Sequence, residues 1–165
     1  MREIDHELLT MRKADPEDML TYYRWANDPA VRQNSYTSDP ISIETHKAWF
    51  ERKLASHDSY LYILEYRGEP AGQIRFEIRD GIAHIGFSID EAWRGCGLGT
   101  YILVLGTSMF LQDAPEKYPV HGAVKVGNTA SLKAFAAAGF TVLEETVVNG
   151  EQSVVFIYPD EQNEG

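Results

Sequence analysis

Six consecutive residues, Arg94-Gly95-Cys96-Gly97-Leu98-Gly99, have the composition of an anion cradle. Three glycines within residues 95–99 let a backbone turn sharply and approach a ligand closely. Beyond them Leu98, Ile102, Leu105 and Met109 recur at helical spacing, which predicts a helix over 98–112. The first amides of a helix have no intrahelical partner and sit at the positive end of its dipole. A glycine loop that opens a helix is therefore a site for phosphate or pyrophosphate. Two familiar phosphate loops are excluded. The segment lacks the Gly-Lys-Ser/Thr ending of a P-loop. It also lacks the preceding parallel strand, and the acid about 20 residues on, of a dinucleotide fingerprint.

The elements that must hold this loop follow from periodicity. A strand over 82–89 leads into it, with Ala83, Ile85, Phe87 and Ile89 on one face and His84, Gly86 and Ser88 on the other. Asp80-Gly81 predicts a hairpin to a preceding strand over 71–79, where Ile74, Phe76 and Ile78 oppose Gln73, Arg75 and Glu77. A third strand over 59–66 completes an antiparallel meander. Upstream stand a short strand over 8–13, a helix capped by Asp15-Pro16 that stops near Asn27-Asp28-Pro29, and a helix capped by Ser42. The polar stretch 31–40 between them reads as a loop. Downstream come a strand over 120–126, a helix opened by Asn128 and closed by Gly139, and a final hairpin over Asn149-Gly150. This predicts one α/β domain of mixed α+β type over 1–159. Its sheet is central, twisted and mostly antiparallel, with helices on both faces, and an acidic tail covers 160–165.

Composition bounds the chemistry. Of 165 residues, 15 are Lys or Arg and 25 are Asp or Glu, a net charge of −10. That argues against nucleic acid or an anionic membrane surface as partner, though a local basic pocket remains possible. A single cysteine excludes an internal disulfide and disfavours a cysteine-built metal site, so no metal is expected. The charged N-terminus is no signal peptide and no apolar run is long enough to span a membrane, so a cytoplasmic location is the expectation.

Two motifs carry a family resemblance. IGFSIDEAWRGCGLGT is similar to the strand and Arg/Gln-x-x-Gly-x-Gly/Ala pyrophosphate loop of the GNAT superfamily of acetyl-CoA-dependent N-acetyltransferases. NTASLKAFAAAGF resembles that family's Asn-x-x-Ser…Tyr…Gly-Phe helix. The resemblance implies a GNAT-like fold and acetyl-CoA as co-substrate, with a homodimer possible. It places the CoA pyrophosphate on the amides of Arg94, Gly95, Cys96, Gly97, Leu98, Gly99 and Thr100, with Cys96 a spacer. It sets Phe87, Ser88 and Ile89 beside the thioester, where a backbone amide would polarise the acetyl carbonyl. Asn128 and Ser131 would face CoA from the other side, although an N-cap and first-turn role explains both without a ligand. Phe135 stands where the family often has a tyrosine general acid, so no general acid is assigned. As proton acceptor, His84 and then Glu77 are the candidates.

The pattern Trp25-x-Asn27-Asp28…Arg32…Ser35…His46-x-x-Trp49-Phe50 resembles GNAT members that acetylate nucleotide-linked amino sugars. Arginine grips diphosphate bidentately and tryptophan stacks on bases or sugars. Arg32, His46 and Arg75 are thus candidates for an anionic acceptor group, with Trp49 beside them. Three other readings stay open: a ribosomal-protein-type N-terminal acetyltransferase, a polyamine acetyltransferase, and a non-catalytic acyl-CoA-binding module.

Overall fold

A computed structural model of the chain describes residues 3–159; the predicted acidic tail lies outside them. The elements in order are β1 (Leu9–Lys13), α1 (Met19–Ala26), α2 (Pro29–Asn34), α3 (Ile43–Ala55), β2 (Ser59–Tyr66), β3 (Glu69–Arg79), β4 (Ile82–Ile89), α4 (Leu98–Asp113), β5 (Val120–Lys125), α5 (Thr129–Ala137), β6 (Thr141–Val148) and β7 (Glu151–Ile157). The strands form one seven-stranded sheet in the order β1-β2-β3-β4-β5-β7-β6. All neighbours are antiparallel except β4 and β5. This is the expected mixed α/β architecture.

Local sequence accounts for the boundaries. Asp15 caps a 3-10 turn that runs into α1, and Asp18 bonds back to the Asp15 amide to complete a capping box. Arg12 grips the Asp18 carboxylate at 2.7 and 2.8 Å, tying β1 to this turn. Ser42 caps α3 through the Thr45 amide. The hairpins at Asp80-Gly81 and Asn149-Gly150 take positive φ at both residues, the requirement of a type I′ turn. Arg67-Gly68 does the same, so β3 begins at Glu69.

One expectation fails. Residues 31–34 of the presumed loop belong to α2, which spans Pro29–Asn34. Asp28 accepts from the Ala30 and Val31 amides at 2.9 and 3.4 Å, and Pro29 occupies the first turn. Asp28-Pro29 is thus a helix start of the same kind as Asp15-Pro16, not only the end of α1.

Two clusters sandwich the sheet. On one face α4 and α5 pack on Tyr62, Leu64, Ile74 and Phe76. Gly106 lets α4 lie close, since a Cβ there would stand 2.7 Å from Ile74. On the other face Tyr22 and Trp25 of α1 and Phe50 of α3 cover Leu61 and Ile63. Trp25 and Phe50 are therefore core residues.

Candidate active site

The two parallel strands part almost as soon as they meet. β4 pairs with β5 only at Ala83–Val120 and His84–His121. From Ile85 onward a gap opens between them. Backbone directions fix which amides face it. The Ala83 amide donates toward the β5 side, to Pro119, whereas the Asp90 amide donates to Ala71 on the β3 side. The β3–β4 register runs without a bulge, so alternation holds throughout β4. The amides of Ile85, Phe87 and Ile89 therefore point into the gap, and that of Ser88 points to β3. Ser88 is buried, and its amide and hydroxyl face the Gln73 side chain at 3.3 and 3.1 Å. Of the three residues at 87–89, only Phe87 and Ile89 can offer an amide to a ligand in the gap, and Ser88 braces the strand from behind.

At the open end of the gap the glycine loop delivers the start of α4. Gly97 is the N-cap at φ +80° and offers no side chain to the first amides of the helix. A Cβ on Gly97 would meet nothing within 4 Å. Its need for glycine is the left-handed backbone, not space. Arg94 pairs with Asp28 at 3.0 Å. The Cys96 thiol lies 3.7 Å from the Arg94 carbonyl, off the lining of the cleft.

The cleft is continuous. It encloses about 920 Å³ and runs from Arg94, Gly97 and Thr100 past Phe87 and Ile89 to the sheet face covered by the first three helices. Asn128 lines it while capping α5 through the Ser131 amide; Ser131 itself does not line it. Phe135 lines it too, but as a wedged core ring. It is stacked on Phe156, edge-on to Phe87 and Phe140, and only 2% exposed. A Cβ on Gly122 would overlap the end of this ring, so β5 leaves no room for a longer side chain there.

The half of the cleft under the first three helices centres on Arg75. Its guanidinium lies flat on Gly86, where a Cβ would come within 2.7 Å of Cζ. Its other side faces the Trp49 ring, 5.5 Å from the centroid. Arg32 is held in the same half by the carbonyls of Thr37 and Asp39 and the Ser35 hydroxyl. This fastening shapes the segment after α2. There Tyr36 reaches across to Ser153 of β7 at 2.7 Å, and Lys125 of β5 donates to the Gln33 carbonyl. Thus α2 and its loop form a wall over the gap. His46 also lines the cleft, but its ring is buried between α1 and α3, with Nε2 3.2 Å from the Met19 carbonyl. Burial, aided by the Arg75 charge, lowers its pKa and favours the neutral ring.

The two proton-acceptor candidates stand opposite each other across β3 and β4, as the hairpin register dictates. Glu77 lines the cleft, yet it is clamped by Lys53 at 2.7 Å and flanked by Arg79 and Arg75. Burial works to raise its pKa; the Lys53 hydrogen bond and the three cations prevail and hold it below the carboxylate range. His84 stands at the closed end of the gap, outside the lining, beside His121 with ring centroids 6.2 Å apart. Burial first, then the charges of Arg79 and His121, lower its pKa, so it is neutral at physiological pH.

Several of these residues gave no signal by type alone. Lys125, Tyr36 and Gly86 are ordinary in sequence. The Arg75–Gly86 contact was nevertheless implicit, because a two-residue turn at 80–81 sets residue 79 opposite 82 and hence 75 opposite 86. Among the described residues, no group of three or more His, Cys, Asp or Glu could hold a metal ion, and no helix is long and apolar enough to cross a membrane.

Comparison with known proteins places the geometry. The family model described as an acetyltransferase (GNAT) domain matches residues 9–141. No curated protein matches the chain. Among solved structures, the aminoglycoside acetyltransferase AAC(6')-Ib in complex with ribostamycin and coenzyme A superposes with TM-score 0.81 at 18% identity, over 94% of this chain and 96% of that one. The ribosomal L7/L12 α-N-protein acetyltransferase RimL with coenzyme A gives 0.76 at 18%, over 91% and 93%. The spermidine N-acetyltransferase of Vibrio cholerae with CoA and spermine gives 0.77 at 14%, over 92% and 94%. Likeness at these identities speaks for the fold.

Proposed function

The chain belongs to the acetyltransferase (GNAT) domain family, and on that premise we propose that its cleft carries an acetyl group from acetyl-CoA to the primary amine of a nucleotide-linked amino sugar. The observation that carries this reading is the continuity of the cleft. One end offers the unpartnered amides of α4, the middle is a gap between splayed strands, and the far end opens under the first three helices.

The pyrophosphate of CoA sits on the loop and the first amides of α4. The pantetheine arm extends along the gap, where the free amides of β4 receive it as an added strand would. The acetyl oxygen meets the Phe87 or Ile89 amide, which stabilises the negative charge as the amine attacks. The amine nitrogen bonds to the acetyl carbon, the carbon–sulfur bond breaks, and the sulfur leaves as thiolate. Free thiols have a pKa near 8.5, so departure requires no strong acid. That suits a site in which Phe135 offers none. The amine's proton passes through solvent to His84, which its surroundings keep neutral.

Charge supports an anionic acceptor. The cleft is lined by Arg32, Arg75, Arg94, Lys125 and Lys133 against the single carboxylate of Glu77, in a chain whose net charge is −10. A polycation such as the spermine bound in the Vibrio cholerae structure would require carboxylates that this lining lacks. The experiment is thiol release from acetyl-CoA across a panel of nucleotide amino sugars, polyamines and peptide N-termini. Release with the sugar nucleotides at the highest kcat/KM is expected. CoA binding without turnover on any amine would favour the non-catalytic reading.

A further inference from the structure

From the charges gathered on the acceptor side, we infer that Arg75, Arg32 and Lys125 form a phosphate subsite separate from the CoA pyrophosphate loop, and that the acceptor is held there by a phosphate group. The subsite stands on its own geometry. That its phosphate belongs to the acceptor rests on the function proposed above.

Three observations carry it. First, the positive charge is not neutralised within the protein. Among the described residues, neither Arg32 nor Lys125 has a carboxylate within ion-pair distance; both donate to backbone carbonyls, and Arg32 also to the Ser35 hydroxyl. The nearest carboxylate of Arg75 is Glu77 at 3.9 Å, and Glu77 is already taken by Lys53 at 2.7 Å. Second, donors are left over. The Nε atoms of Arg32 and Arg75 are both buried without a partner. The closest side-chain acceptor for Arg75 Nη1 is the Gln73 amide oxygen, at 3.2 Å when that oxygen faces Ser88. Unsatisfied buried donors and neighbouring like charges both cost stability, and a bound oxyanion relieves the charge repulsion between Arg32 and Arg75. Third, Arg75 is presented rather than merely present. It lies flat between Trp49 and Gly86, with 31% of its side chain exposed. A planar guanidinium fixed in this way can still hydrogen-bond a phosphate through its Nη atoms.

The test uses wild-type protein saturated with CoA, so that the loop at 94–100 is filled, and titrates in inorganic pyrophosphate by calorimetry at low salt. One further pyrophosphate per chain is expected. Arg75→Gln should weaken it at least tenfold with CoA affinity unchanged, and Arg75→Lys should recover part of the loss. No second binding event, or one that Arg75→Gln leaves intact, overturns the subsite. Malonate in parallel distinguishes the anion: binding tighter than pyrophosphate would assign the site to a carboxylate and overturn the phosphate claim. The two proposals fail separately. Amine turnover without pyrophosphate binding removes the subsite alone, and pyrophosphate binding without turnover on any amine removes the acetyl-transfer reading alone.

Discussion

A single methyl group at position 86 should separate acceptor binding from cofactor binding. In Gly86→Ala the new Cβ would stand 2.7 Å from Arg75 Cζ, 2.8 Å from Nη2 and 3.0 Å from Nη1. Carbon atoms rest at about 3.5–4.0 Å, so the guanidinium must retreat by about 1 Å. The obstructed atoms are the far end of a flexible side chain, not backbone, so the fold should survive and Tm should move by no more than about 2 °C. Binding should not survive as well. A hydrogen bond to a charged group is worth about 1.5–3 kcal/mol, and displacing Arg75 by 1 Å forfeits most of one. At about 1.4 kcal/mol per decade this predicts a loss of about 10- to 100-fold in acceptor kcat/KM. The loop at 94–100 is untouched, so the KM for acetyl-CoA should stay within about twofold, on the tolerance expected for distant sites. The assay is steady-state thiol release with each substrate varied in turn. An intact fold with unchanged acceptor kcat/KM, or equal losses for both substrates, would refute the placement of Arg75 at the acceptor.

Gly97→Val should weaken CoA at least tenfold by forcing φ +80° on a β-branched residue, a strain of about 1–3 kcal/mol; retained affinity in calorimetry would put the pyrophosphate elsewhere. Phe135→Tyr should not restore a general acid. Its hydroxyl would be driven toward Gly122 in a site that is 2% exposed, and overpacking of about 1–3 kcal/mol should lower Tm by several degrees with no gain in kcat. A rise in kcat would show that the ring can reach the sulfur. His84 acts through its neutral form, and its pKa is lowered. Wild-type kcat/KM should therefore rise with pH through a midpoint below the ordinary histidine value of about 6.5. That acidic limb should vanish in His84→Gln, and an unchanged profile would remove His84 as the proton acceptor.

Much of this was legible in the sequence because it is local. Alternation, two-residue turns and helix caps are short-range signals, and they located every strand and the glycine loop. Residues 31–34 of the segment 31–40 were misread for a local reason as well. Asp28-Pro29 both ends α1 and starts α2, and a helix of six residues has too few apolar positions to show a period. What could not be read was long-range. The Tyr36–Ser153 contact joins residues 117 apart, and the Lys125–Gln33 bond joins residues 92 apart. Nor do residue types say that Phe135 is wedged against Gly122, or that Lys53 reaches Glu77. Ser88 was read as lying beside the thioester, but only the hydrogen-bond phase of β4 shows that the amides at 87 and 89, not at 88, face the gap.

The two halves of the cleft are joined by two carboxylates. Asp28 caps α2, the start of the acceptor wall, and at the same time holds Arg94 of the cofactor loop. Asp90, at the end of β4, accepts from Trp25 Nε1 at 2.7 Å and pairs with Arg24, so α1 is bound to the strand whose amides at 87 and 89 face the gap. Burial works to raise the Asp90 pKa; the Trp25 bond and its other partners prevail and hold it low, so the link is ionised at neutral pH. Each carboxylate joins an element at the glycine-loop end of the cleft, or the strand beside the gap, to one of the first helices. A pyrophosphate arriving on the loop meets Arg94 while Asp28 still holds it. Asp28 must then either share Arg94 or release it, and in either case its bonds from the Ala30 and Val31 amides keep the start of α2 capped. The two ends of the cleft are thus tied to each other by the side chains of Asp28 and Asp90.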